Sequence, residues 1–204
     1  MLELSRWPYI QTISLSGDLK TDIINFLTVN NKQEIASHCI AVAKKSEKIA
    51  TIFGLDAVTV SNSALLHDIS NVMSPQDMLD YGMNQNWEID PSEEKYPFLL
   101  HQRLSAVFAG ELFGVDDPTV LSAIRCHTTL KDNPSPYDMV LFLADKLSWA
   151  QNGTPPFFDV VSSALEISLT HASLVYINFV LDNGMILSPH RWMMDAKNWL
   201  ENSN

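Results

Sequence analysis

Repeatedly in this chain a residue that caps helix N-termini stands directly before a proline, as at Ser74-Pro75, Asp117-Pro118, Ser135-Pro136 and Ser188-Pro189. A serine or aspartate at the N-cap accepts a hydrogen bond from a first-turn N–H. Proline at the first helical position gives up an N–H that has no intrahelical partner anyway. Asp77 and Asp138 add acids in first turns, where the helix dipole favours them. Asn31 with Glu34 reads as a capping box, and Gly54, Gly82, Gly114 and Gly184 read as C-terminal stops. Together these signals predict helices over 19–29, 32–53, 57–70, 75–81, 97–113, 118–129, 136–150, 157–182 and 189–202. The polar stretch 84–96, broken by Pro91 and Pro97, reads as a surface loop, a lid over a pocket. No segment alternates as a strand would. The fold class predicted is therefore all-α.

Length and charge narrow the function classes. A chain of 204 residues with 46% hydrophobic content can bury one sizeable core. The formal charge of −11 excludes the basic surface that long nucleic acids require. Cys39 and Cys126 are too few for a disulfide framework and sit inside predicted helices, where buried thiols facing helix packing are expected. Residues 1–10 lack a basic segment followed by an apolar run, so no signal peptide is predicted. No apolar run reaches the ~20 residues that span a bilayer. Residues 164–181 come nearest, but are interrupted by Glu166, His171 and Asn178. A cytoplasmic protein without membrane partners is expected.

Six residues stand out because charge or imidazole falls within apolar helical text. They are His38, the dipeptide His67-Asp68 after Ala64-Leu65-Leu66, His101, His127 and Asp145 within Leu141-Phe142-Leu143-Ala144-Asp145. Each alone suits a satisfied core residue. Burying all of them without partners costs a few kcal/mol apiece. Convergence on a metal satisfies them together. His67 and Asp68 lie ~100° apart around a helix, but near a helix end both can reach one small volume.

The order His, His-Asp, His, His, Asp resembles the HD-domain metal-dependent phosphohydrolases. More narrowly it resembles the bacterial HD-domain symmetrical diadenosine tetraphosphate hydrolases. The text that carries the resemblance is His38, Ala64-Leu65-Leu66-His67-Asp68-Ile69, His101, Ala123-Ile124-Arg125-Cys126-His127-Thr128-Thr129 and Leu143-Ala144-Asp145-Lys146, within about 32–150. It implies an HD helical bundle over 32–150, an N-terminal helical segment over 1–31 packed on it, and a C-terminal helical extension over 151–204. It also implies two divalent transition-metal ions, iron before manganese. His38, His67, Asp68 and Asp145 would hold one, and Asp68, His101 and His127 the other, with Asp68 bridging. The implied reaction is hydrolysis of a nucleotide-like phosphate, such as a dinucleoside polyphosphate, by water that the metal activates. Asp68, Lys146 and Arg125 are the candidate catalytic residues. Arg103 and Lys131 are further candidates for countering phosphate charge, and a homodimer stays open.

The chain departs from the family pattern at three places. Asn71 stands where related hydrolases often have Lys, and Leu130 where they usually have Gly. Residues 149–156 lack an Arg that the family carries shortly after the final aspartate helix. Three other readings remain: a non-catalytic metal and nucleotide module, an HD-fold iron oxygenase, and a metal-free helical interaction protein. His171 and His190 are read as structural or surface residues.

Overall fold

A computed structural model describes residues 4–148 and 153–203. Its elements among these residues are helical, with no strand. They are α1 (Leu19–Val29), α2 (Gln33–Phe53), α3 (Ala57–Leu66), α4 (Pro75–Asn84), α5 (Pro91–Lys95), α6 (His101–Phe113), α7 (Pro118–Cys126), α8 (Pro136–Leu147), α9 (Phe158–Leu165), α10 (Leu169–Asp182) and α11 (Arg191–Asn202), with 3-10 turns at Leu4–Arg6, Ile69–Val72 and Pro97–Leu100. None is long and apolar enough to cross a membrane.

The capping text acts as its chemistry requires at Ser74, Asp117 and Ser135. Each side chain accepts from a first-turn N–H, ahead of a proline. The fourth site differs. His190, not Ser188, caps α11, its ring Nδ1 accepting from Trp192 N at 3.0 Å. The expected loop 84–96 contains α5, built by the same device. Asp90 precedes Pro91, accepts from Ser92 N at 2.8 Å, and is bonded in return at its own N–H by Glu93. Asn31 makes no cap; it takes the left-handed conformation (φ 58°) and Lys32 precedes α2. Gly82 lies inside α4, where Trp87 and Ile89 close over it, rather than ending the helix. The span 157–182 is two helices, because Ser168 caps a fresh start at His171 N.

The core sits where α2, the longest element, packs along α3 and α8, and where α7 lies against α3, α6 and α8. Val42, Leu66, Leu104, Phe108, Ile124, Phe142 and Leu143 are fully enclosed there. The α9–α10 pair leans on α8 through Tyr176, whose ring meets Phe142 and Phe157 edge-on, and α11 packs on α10. The residues that bear the site's chemistry come from α2, α8 and the ends of α3, α6 and α7, so one end of this bundle sets the geometry of the site.

Candidate metal centre

Helix α3 stops at Leu66, and His67-Asp68 occupies the break before the 3-10 turn Ile69–Val72. The expected continuous helix over 57–70 would separate these two side chains by ~100°. The break brings them together, and the His67 Nε2–Asp68 Oδ2 distance is 3.4 Å. His101 opens α6 where the 3-10 turn Pro97–Leu100 ends, and His127 follows the last residue of α7. His38 comes from the body of α2 and Asp145 from the last turn of α8.

Three imidazoles are oriented by one local device. His67 Nδ1 lies 2.7 Å from Ala64 O, His101 Nδ1 2.6 Å from Phe98 O and His127 Nδ1 2.8 Å from Ile124 O, each carbonyl three residues earlier. Only a protonated Nδ1 can donate to a carbonyl. This fixes the tautomer and leaves Nε2 as the lone pair facing inward. The Nε2 atoms then gather on the two aspartates. His38 Nε2 lies 3.0 Å and His67 Nε2 3.6 Å from Asp145 Oδ1. Asp68 turns Oδ2 to His67, and Oδ1 to His101 at 3.2 Å and His127 at 3.7 Å. His101 and His127 bring their Nε2 atoms to 3.0 Å of each other. All six predicted ligands thus meet in one place.

The donor chemistry fits cations. Within two groups, His38–His67–Asp145 and His67–Asp68–His127, one ligand atom from each residue lies within 4.8 Å of the others. His67 Nε2 and His38 Nδ1 are buried without a hydrogen-bond partner. Burial opposes ionisation of Asp68, but His67, His101 and His127 hold its carboxyl far below the ordinary carboxylate range. Burial likewise opposes charge on Asp145, and Lys146, His38 and His67 overcome it. Burial, then the neighbouring His67 and His101, keep His127 neutral to well below the usual histidine pKa. Burial works against a proton on His67 as well, yet Asp68 draws one to it. Imidazole and carboxylate that together attract a proton are the groups a metal binds by displacing it.

Neighbouring polar groups hold the centre in register. Gln102 Oε1 accepts from Thr128 N at 3.1 Å and Thr129 N at 3.3 Å, which ties α6 to the turn after α7. Thr128 Oγ1 stands 3.2 Å from His101 Nε2. Ser70 Oγ donates to His101 O at 3.0 Å and contacts Ser105 Oγ. Sequence reasoning passed over Gln102, Ser70 and Ser105. The signal was the polar run His101-Gln102-Arg103 with Ser105, at the start of a helix that is otherwise apolar.

The proposed cations divide. Lys146 Nζ lies 2.7 Å from Asp145 Oδ2 and, though burial opposes its charge, Asp145 keeps it protonated above the ordinary lysine range. Arg125 is two residues from His127, ~200° around the helix, and it lines a separate cavity that contains none of the six ligands. Arg103 pairs with Glu93 at 3.1 Å and Lys131 with Asp138 at 3.0 Å. Asn71, on the turn after Asp68, gives its N–H to Asp68 O. Cys126 bonds back to Ser122 O as a packing residue. Cys39, expected to face away, instead has its buried thiol beside His67. His190 is structural, by its cap of α11 and its approach to Glu93, and His171 lies half-buried on α10. Of the segment that departs from the family at 149–156, residues 149–152 lie outside the described residues.

Comparison with known proteins places this arrangement. The family model described as "HD domain" matches residues 35–150. The chain belongs to the HD-domain family. An uncharacterized protein in the pepC 5' region of Lactococcus lactis subsp. cremoris is 38% identical over 140 residues, 69% of this chain and 71% of that one. A symmetrical bis(5'-nucleosyl)-tetraphosphatase of Halalkalibacterium halodurans is 31% identical over 121 residues, 53% of this chain and 57% of the relative. The HD domain here thus spans little more than half of that curated enzyme. A solved structure, titled as a predicted HD superfamily hydrolase involved in NAD metabolism from Clostridium acetobutylicum, superposes with a TM-score of 0.80 at 23% identity, covering 95% of this chain and 100% of that one. At that identity the likeness is one of fold. Family and hydrolase relatives together place the HD domain among the metal-dependent phosphohydrolases.

Proposed function

We propose that this HD domain hydrolyses a phosphoester or phosphoanhydride of a nucleotide-like substrate at a centre of two divalent transition-metal ions, iron before manganese. His38, His67, Asp68 and Asp145 would hold one ion, and Asp68, His101 and His127 the other. The observation that carries the reading is the division of Asp68, with one oxygen toward His67 and the other toward His101 and His127. Bound there, divalent ions supply an activated water and Lewis acidity for a phosphoryl oxygen. The chain's own residues do the rest. The carbonyl-anchored histidines keep their lone pairs aimed without reorganisation. The Lys146 ammonium, held beside Asp145, meets negative charge that develops on the phosphoryl group. Relatives named as symmetrical bis(5'-nucleosyl)-tetraphosphatases support a dinucleoside polyphosphate as the substrate.

One observation favours a second reading, a non-catalytic metal and nucleotide module. Arg125, Arg103 and Lys131 are all turned from the centre or paired elsewhere. Phosphate release from diadenosine tetraphosphate, nucleoside diphosphates and nucleoside monophosphates, by protein loaded with Fe(II) or Mn(II), separates the two. Turnover that Asp68→Ala abolishes supports hydrolysis. Metal-loaded protein that binds these nucleotides without cleaving any of them establishes the module instead.

A further inference from the structure

The described residues also line a cavity apart from the candidate metal centre. It is a half-open cavity of about 750 Å³ between α6, α7 and α11, and none of the six ligand-type residues lines it. One end shares Trp87, Arg103, Arg125 and Trp192 with an adjoining pocket, and the other shares Asp132 and Asp195 with a groove along α11. The cavity is therefore cationic and aromatic at one end, and carries Asp132 and Asp195 at the other, where the lining Lys131 is paired with Asp138.

Its walls are more elaborate than packing requires. The Arg103 guanidinium stacks on Trp87 at 4.2 Å from the ring centroid and faces Trp192 at 5.8 Å. Its side chain is only 8% exposed, and its Nε has no hydrogen-bond partner. Glu93 neutralises that charge. The free charge of the wall is Arg125, held over Trp192 at 5.9 Å, with no carboxylate paired to it among the described residues. An unpaired arginine beside half-buried indole surface, in a chain of net charge −11, is a recognition feature for an anion attached to a flat ring. The acidic end sets the orientation. Asp132 and Asp195 repel the anion and accept hydrogen bonds from hydroxyl or amino groups. A flat ring, one anionic group and several hydroxyl donors together describe a mononucleotide.

We propose that this cavity is a second ligand site, separate from the metal centre, that takes a nucleoside monophosphate with its phosphate on Arg125, its base against the half-buried Trp192 and Trp87 rings and its sugar hydroxyls toward Asp132 and Asp195. Arg103 stands two residues after His101, and Arg125 two before His127. Occupancy therefore bears on α6, which His101 opens, and on α7, which His127 follows. The site is independent of the hydrolase reading, because it is complete without metal.

The test is tryptophan fluorescence of the full chain, stripped of metal with chelator, titrated with adenosine 5'-monophosphate, phenyl phosphate and inorganic phosphate. The expected result is saturable binding of adenosine monophosphate, with phenyl phosphate weaker and inorganic phosphate at least tenfold weaker. Arg125→Gln should weaken adenosine monophosphate roughly tenfold, the loss of one charge-assisted contact, with an unchanged circular dichroism spectrum. Asp68→Ala should bind it as the unaltered chain does. The proposal is overturned by any one of four results: no saturable binding, inorganic phosphate binding as tightly as the nucleotide, Arg125→Gln binding normally, or binding abolished by Asp68→Ala. The first three remove the second site. The last would assign the binding to the metal centre.

Discussion

The Nε2 atoms of His101 and His127 lie 3.0 Å apart, although each ring has committed its Nδ1–H to a backbone carbonyl. Two lone pairs at that distance repel unless a proton or a cation lies between them. Asp68 Oδ1, close to both, supplies the negative charge that would hold either one.

This geometry predicts the metal content. Protein purified gently should carry about two transition-metal ions per chain by elemental analysis. Asp68→Ala should lower occupancy at both positions, whereas His171→Ala should leave it unchanged. Adding metal at a hundredfold its dissociation constant should stabilise the fold by ~2.7 kcal/mol, read as a thermal shift that chelator reverses. Equal metal loss from the His171 and Asp68 variants would show that the ligands are misassigned.

Lys146→Met keeps the apolar stem and removes the ammonium. Its contact is with Asp145 Oδ2, while His38 and His67 face Oδ1, so metal content should hold. A hydrogen bond to a charged group contributes ~1.5–3 kcal/mol. On the proposed hydrolysis, kcat/KM should therefore fall roughly tenfold to a hundredfold. Unchanged steady-state kinetics would exclude Lys146 from the reaction.

Leu130 stands where the family usually has Gly, and it does adopt a left-handed conformation, φ 61°. Holding a leucine there costs about 1–2 kcal/mol. Its side chain is nevertheless completely buried, and truncating a buried leucine costs about 2–5 kcal/mol. Packing outweighs strain over most of these ranges, so Leu130→Gly should destabilise the protein by up to about 4 kcal/mol in denaturant melts. A gain in stability would mean that strain outweighs packing here.

Acid should loosen the joint between α5, α6 and α11. Burial pushes the Glu93 carboxyl up, but His190, the Asp90 N–H and Arg103 outweigh it and lower the pKa. A carboxyl whose folded pKa lies below the unfolded value of about 4.3 adds stability that is fully present above that value and is lost as pH falls through the folded pKa. Glu93→Gln, which leaves Arg103 buried beside a neutral amide, should cost about 3 kcal/mol at pH 7, or roughly 6–12 °C of Tm at ~2–4 °C per kcal/mol. The gap between variant and parent should begin to narrow below about pH 4 and close as pH falls through the folded pKa of Glu93. A gap that stays constant from pH 7 to pH 3 would place the effect in shape rather than charge.

The helices, and the six residues that meet at the candidate centre, were legible in the sequence because both are local signals. An N-cap before proline acts within one turn, and a histidine or aspartate amid apolar text is conspicuous wherever it falls. Even α5 was written at Asp90-Pro91 with Glu93, in the same punctuation as the other starts. What each side chain faces is decided by where helix ends meet. Arg125 and His127 share one stretch of text, yet one lines the second cavity and the other the metal centre, because two residues are more than half a helical turn. Arg103 looked like a free cation until Glu93 and Trp87, from the segment just before α6, closed around it. The cavity at Trp192 depends on α11 coming to rest near α6 and α7, a packing outcome that no local pattern records. Sequence determined which groups were available and which elements carried them. Tertiary structure decided their partners, since burial and charge pairing depend on distances that chain order does not set.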